Sequence, residues 1–467
     1  MKFYSRQYFS SIVHCAILGC VLYGCKLNSP PAQSKILADA LPDSTRIPET
    51  WIADTDTGIS LNNWLSLLND SSLNRIVEES VLNNLDLRKA ASLVEIEQQR
   101  FIVVSSRLKP QIGGDAGYSS MLDDQNSGAY SGTKAIGLVA WEPDVWGKLR
   151  SEQAAAASGY EAGQLDFLFA KQSLAATTAK SWYLTIETRL ALSVARQTVA
   201  NYNDMLAIVK LKRDLGRVGD LDVEEAKANL HAAQSMEIQA EGYEKETRRN
   251  LEELLGRYPS AELKTAEDFA VQPPPVSPGI PSSLLTRRPD MLAAEKKVIA
   301  AFRKEEAARL ALYPSFSLNV VGGRLADNLL LLLQLNPWMI AASIGLTVPV
   351  YTAGRLPAQI KIATDEQQIA VTNYGIVALR AFREVENCLM YQVLLTQRYA
   401  IEKNVLDDRT SSLRIARLKY DAGSIDLLSV LQLQQAQTAS QLNLIKLRFE
   451  QLTNFINLQL NLGSTYN

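Results

Sequence analysis

The sequence predicts an α+β membrane protein: long, coiled-coil-like α-helices joined to β-strands of the kind that build a transmembrane barrel, arranged as an internal two-fold structural repeat. Three observations predict it. Two very long segments carry helical patterning with no interior proline. Several short segments alternate apolar and polar residues. The same landmarks also recur in the same order at a period of roughly 205 residues, the mark of a duplicated unit.

The landmarks of the repeat come in pairs. Arg107 to Pro110 precedes one alternating stretch, and Arg309 to Pro314 precedes another. Trp141 to Leu149 and Val348 to Leu356 then open the long segments, which end at Arg213 to Gly216 and at Tyr420 to Gly423. Each end is followed by a shorter amphipathic segment, opening at Leu221-Asp222 or Ile425-Asp426. The spacing predicts helices over 151–215 and 356–422, the first a rod of roughly 95 Å at 1.5 Å per residue. Pro357 is tolerated in the first turn of the second. Returning helices are predicted over 220–255 and 425–462. Gly216, Gly219 and Gly423 stand where antiparallel helices must reverse, a place for left-handed backbone.

The strands are read from period-two alternation. Ile112, Ala116 and Tyr118 interleave with Gly113, Asp115, Gly117 and Ser119; Phe316, Leu318 and Val320 with Ser315, Ser317 and Asn319. Ile340, Ala342, Ile344, Leu346 and Val348 interleave with Ala341, Ser343, Gly345 and Thr347, and a further strand falls near 134–142. Four strands cannot close a barrel, because the smallest membrane barrels need about eight. Open edges in lipid leave backbone groups unsatisfied. Self-association must close the sheet, and three copies supply twelve strands.

The N-terminus reads as a signal peptide over 1–24, with Lys2 and Arg6 ahead of an apolar run from Ile12 to Tyr23. Leu22-Tyr23-Gly24-Cys25 resembles a bacterial lipobox, which makes Cys25 the lipidation site; Ile17 to Cys20 is a second candidate, and an ordinary secretory signal is the plain alternative. Two or more acyl chains give stable anchoring. The expected organisation continues with a lipidated extended segment over 25–70, a first repeat over 71–270, a proline-rich linker over 271–283 and a second repeat over 284–467.

Composition narrows function. Lys and Arg number 48 against 50 Asp and Glu, so nothing points to nucleic acid. His231 and Cys388 are the histidine and cysteine of the body, too few for a triad, a zinc cluster or a Cys/His dyad. No catalytic residue, metal site or cofactor is expected, and the inventory argues against an enzyme.

Together these residues resemble the TolC superfamily, specifically its lipoprotein outer-membrane factors of the NodT type. Trp64 to Leu73 and Asn84 to Ala90 carry the family's early pattern, and Trp141, Asp144, Trp146, Gly147 and Leu149 its tryptophan-to-leucine signature. The block from Leu284 to Glu295, with Arg287, Arg288, Pro289 and Asp290, is followed by Tyr313-Pro314-Ser315; Ala381 to Glu386 and Gly354 fit further blocks. The resemblance implies a homotrimer with a twelve-stranded outer-membrane barrel and a helical tunnel through the periplasm. That duct would dock on a periplasmic adaptor and an inner-membrane pump and pass drugs or metal ions passively. It implies a closed end at the two hairpin tips, here Gly216, Asp220 and Asp222 with Tyr420, Asp421, Gly423 and Asp426.

One departure concerns the aperture. Family members often place acids where this chain has Ser429 and Gln432, so a cation-selective ring here would need other positions. Asp222 and Asp426 read equally as helix caps or aperture residues. Arg287, Arg288 and Asp290 read as the start of a helix rather than as chemistry. The Leu329–Leu333 run belongs to an extracellular loop or a strand end. Two alternatives keep parts of this reading: a duct for type I protein secretion, and a periplasmic coiled-coil lipoprotein without a barrel.

Overall fold

The computed structural model describes residues 27–53, 63–123, 128–269, 281–326 and 339–466. The signal segment, Cys25, most of the linker and the leucine run at 329–333 lie outside the described residues. The helices are α1 (Gln33–Ala40), α2 (Ser71–Asn83), α3 (Leu85–Ser106), α4 (Lys148–Asp214), α5 (Asp220–Leu254), α6 (Leu284–Arg287), α7 (Pro289–Leu310), α8 (Arg355–Asp421) and α9 (Leu427–Asn461). The strands are β1 (Gln111–Asp123), β2 (Gly128–Trp141), β3 (Ser315–Ala326) and β4 (Met339–Thr347). The described helices contain none long and apolar enough to cross a membrane.

Helices α4 and α8 are each 67 residues long, and their returning partners α5 and α9 are each 35. Their ends lie within three residues of those expected from the glycine reversals. The stretch 71–106 forms two helices, α2 and α3. Asn84 is extended and closes α2, and its side-chain oxygen accepts from the Leu87 amide of α3 at 3.0 Å. Asp70 opens α2 by accepting from the amides of Ser72 and Leu73 at 3.0 and 2.9 Å.

The described chain forms two compact units. One comprises the chain up to Thr45, Ser92–Leu165 and Leu292–Ile376. It contains the whole sheet, a four-stranded antiparallel meander ordered β1-β2-β3-β4. In this unit Glu306 accepts from the Asn28 amide, the Arg303 guanidinium and the Ser151 hydroxyl at 3.0, 2.7 and 3.2 Å. Gly375 makes room for the N-terminal segment, since a Cβ there would stand 2.7 Å from the Ala40 carbonyl oxygen.

The other unit comprises Arg46–Ala91, Asp166–Met291 and Val377–Asn467. Trp182 is buried and donates its Nε1 to the Asp70 carboxylate at 2.9 Å, and Thr178 donates to Ser80 at 3.0 Å. Buried Glu252 holds a loop by accepting from the amides of Ala261, Glu262 and Leu263 at 2.7, 2.9 and 2.9 Å. A carboxylate so saturated satisfies three backbone donors that would otherwise be costly to bury.

Strand β2 begins at Gly128, earlier than alternation alone places it. Its first residues, Gly128 to Gly132, hold two glycines and a serine around Ala129 and Tyr130 and carry no clear period-two signal. Ladder pairing with β1 extends them, from Asp123↔Gly128 through Gln111↔Ala140.

Candidate functional site

The sheet is built from two unlike faces. Cross-strand partners share a face, and successive residues alternate. The register places Ile112, Ala116 and Tyr118 of β1 with Val139 and Trp141 of β2, Leu318 and Val320 of β3, and Ala342, Ile344 and Leu346 of β4. That face is apolar, with Arg324 near one end. The opposite face carries Gly113, Asp115, Gly117, Lys134, Ser317, Asn319, Ser343 and Gly345, with Ile136, Leu138 and Val321 among them. Strands β1 and β4 are the two edges. Ile112, Ile340, Ile344 and Leu346 are exposed, so the apolar face has no cover among the described residues. Uncovered apolar surface of this kind marks lipid or a partner.

The framework around the sheet holds most of the motif residues. Trp141 donates to the Leu108 carbonyl at 3.0 Å, tying the end of β2 to the start of β1. Asp144 caps α4, accepting from the amides of Leu149 and Arg150 at 3.0 and 2.9 Å and pairing with the Arg150 guanidinium. Gly147 has φ +89° and Gly354 has φ +83°, so each long helix is entered through a left-handed glycine. The Pro314 carbonyl accepts from Trp146 Nε1 at 2.7 Å, and the Trp146 ring stacks on Tyr313.

Arg288, Pro289 and Asp290 form a different node, in the second unit. Pro289 is the first residue of α7, where a missing amide costs nothing. Arg288 is 2% exposed and fully engaged. It donates to both Asp290 oxygens at 3.0 and 2.8 Å, to Glu384 at 3.1 Å and to the Asn461 carbonyl at 3.2 Å. Burial pulls its pKa down, but the Asp290 and Glu384 carboxylates more than offset this and the net shift is upward. A guanidinium so saturated has no donor left for substrate chemistry.

The hairpin tips pack together in one cluster. Tyr202 and Val209 of α4, Val223 and Leu230 of α5, Leu413 and Tyr420 of α8, and Val430 and Leu431 of α9 share a buried core. At the first tip Gly216 has φ +68°, and the Arg217 amide donates back to the Lys212 carbonyl at 2.9 Å. The second tip repeats this with Gly423 at φ +78° and the Ser424 amide donating to the Lys419 carbonyl at 2.9 Å. Both are left-handed glycine C-caps. Asp222 accepts from the Gly219 amide at 3.1 Å and Asp426 from the Ser429 amide at 2.8 Å. Hydrogen bonds from the Ser429 hydroxyl and amide hold the Asp426 carboxyl below the usual aspartate value. Asp220 and Asp421 are exposed, as is Gln432, while Ser429 is half-buried.

Lys212 joins the two tips. Its Nζ donates to the Tyr420 carbonyl at 2.5 Å, lies 3.5 Å from the Tyr420 ring centroid and sits 3.8 Å from the Asp421 carboxylate. Burial, then the charges of Asp222 and Asp421, push the Tyr420 hydroxyl up. Nothing local in the sequence marks Lys212, because its partner is 208 residues away. His231 is exposed on α5. Cys388 is buried, and burial pushes its thiol up to about 11, so it behaves as a small apolar residue rather than a nucleophile. The described residues hold no cluster of His, Cys, Asp and Glu suited to a metal ion.

The outer membrane efflux protein family matches residues 76–257 and 280–464. The cation efflux system protein CusC of Escherichia coli O6:H1 is 26% identical over 402 residues, spanning 86% of this chain and 87% of CusC. The probable outer membrane lipoprotein SilC of Salmonella typhimurium is 27% identical over 416 residues, 87% of this chain and 88% of SilC. The toluene efflux pump outer membrane protein TtgF of Pseudomonas putida is 27% identical over 410 residues, 86% and 85%. Among solved structures, CusC superposes with a TM-score of 0.81 at 24% identity, over 91% of this chain and 99% of that one. The open-state Neisseria gonorrhoeae MtrE outer membrane channel does so with a TM-score of 0.81 at 23% identity, over 94% and 97%. The fold is that of these channels, and the chain belongs to the outer membrane efflux protein family.

Proposed function

We propose that three copies of this chain close their sheets into one twelve-stranded outer-membrane barrel and gather their helical hairpins into a periplasmic conduit. The trimer is the exit duct of a tripartite efflux system. A periplasmic adaptor and an inner-membrane pump engage it at the hairpin tips and supply the energy; the duct performs no chemistry and needs no cofactor. The observation that carries this reading is the sheet, which has an uncovered apolar face, a more polar face and two open edges. In lipid such edges must be paired, and twelve strands fall within the range of known barrels.

Cargo is assigned to the pump. Relatives of similar identity are named for cation and for toluene efflux, so the shared duct architecture does not fix what passes through it. Small molecules and ions suit this better than secreted protein, because the relatives carry efflux names. Anchoring through a lipidated Cys25 follows from the lipobox-like Leu22 to Cys25 and is supported by the lipoprotein name of SilC. The detergent-extracted protein is expected to run as a heat-modifiable trimer and to conduct ions in planar bilayers. A monomer without conductance would overturn the duct. Palmitate labelling lost in Cys25→Ser and kept in Cys20→Ser places the anchor; the reverse pattern moves it.

A further inference from the structure

The polar face of the sheet carries an ion pair. Lys134 Nζ lies 2.6 Å from Asp115 Oδ2, with 45% and 56% of the two side chains exposed. The pairing is diagonal. Lys134 stands opposite Gly117, and Asp115 opposite Ile136, so the lysine stem crosses the bare Gly117 backbone to reach the acid. A Cβ on Gly117 would lie 3.1 Å from Lys134 Cε, so a side chain there would push the stem aside by a few tenths of an ångström. Among the described side chains of this face, the other polar residues, such as Ser317, Asn319 and Ser343, are neutral.

We propose that the Asp115–Lys134 pair balances the charge of this stretch of the barrel's inner wall, cancelling a ring of acids against a ring of bases so that this stretch does not sort cargo by charge sign. This rests on the closed-barrel reading, which turns the polar face inward and repeats the pair three times around the lumen. Rings of like charge confer ion selectivity, and unpaired Asp115 or Lys134 would make such a ring. An exposed pair contributes little to stability, so either partner can be removed without unfolding the barrel. Lumen substitutions tune selectivity, unlike charges placed on the lipid face.

The test reads the local potential directly and does not depend on the state of the hairpin tips. A reporter cysteine, Leu138→Cys, sits on the same face as the pair and faces thiol reagents entering from outside intact cells. Cationic and anionic methanethiosulfonate reagents are compared, each normalised to its rate with a free thiol. With the pair intact, the two normalised rates are expected to match. Lys134→Gln should favour the cationic reagent and Asp115→Asn the anionic one, each by about four-fold for a unit charge ~10 Å away in water. Both biases should vanish in 1 M salt, where the screening length is about 3 Å. The exchanged pair, Asp115→Lys with Lys134→Asp, should restore matched rates. Unchanged rate ratios in both single variants at low salt would overturn the proposal. Ile344→Cys, on the opposite face, separates this from the barrel itself: reagents reaching Ile344→Cys as fast as Leu138→Cys would mean that no barrel has closed.

Discussion

The sheet and the hairpin tips are held together in opposite ways. At the tips, residues from four helices bury one another within a single chain, and glycine caps close both reversals. In the sheet each strand pairs with its neighbour, yet the apolar face is exposed among the described residues and β1 and β4 stand at the edges. The tips can therefore be ordered in a monomer, whereas on the proposed trimeric-barrel reading the sheet acquires its stability by association and membrane insertion. A change in one region should leave the other standing, and that separation can be broken or sharpened by substitution.

The largest effect is expected from Ile344→Lys. On the apolar face a lysine near the bilayer middle costs about 2–4 kcal/mol per chain. Heat-modifiable trimers should be lost in lipid, while Ser343→Lys, one residue earlier and facing the other way, should keep them. Equal loss in both variants would mean the two faces are not distinguished by the membrane. At the tips, Leu431→Ala removes a buried side chain from the shared cluster and should cost about 3 kcal/mol locally. Hydrogen exchange over 413–431 should accelerate while the heat-modified shift of the barrel stays unchanged.

A smaller effect is expected from Lys212→Met, which keeps the stem and deletes the ammonium that links the tips. A charged hydrogen bond of this kind contributes about 1.5 kcal/mol. Exchange should quicken at 420–424 and not at Gly216, whose amide bonds within its own tip. The smallest is a pH effect. The Asp426 carboxyl is held low, so its cap contributes in full above the unfolded aspartate value near pH 4, and that contribution fades as pH falls through the lower folded value. Exchange protection of the Ser429 amide should fall on acidification, and Asp426→Asn should flatten that response.

The same contrast explains what could be foreseen from residues. Long helices and glycine reversals are local features, so their ends were legible to within a few residues. Alternation marked β1, β3 and β4, but β2 carries Ile136 and Leu138 on one face with Val139 and Trp141 on the other, which blurs the period. The break between α2 and α3 has little local signal, because Asn84 alone marks it and asparagine is tolerated in helices as well as at their caps. The tip residues Gly216, Tyr420 and Gly423 were marked by turn chemistry. Lys212, Glu252 and the Asp115–Lys134 pair were not, because each draws its role from a partner brought near only by folding.

The central claim is that neighbouring chains complete one another's sheets. It is tested most directly by disulfide formation between the two edges. In a Cys388→Ser background, a cysteine at Ile344 of β4 is combined in turn with one at Ile112, Gly114 or Ala116 of β1, and the membrane-embedded protein is oxidised. At one register, closure of a three-chain ring predicts a denaturant-resistant ladder that ends at a covalent trimer. Bands that never pass the monomer, or that continue beyond three chains, would contradict it.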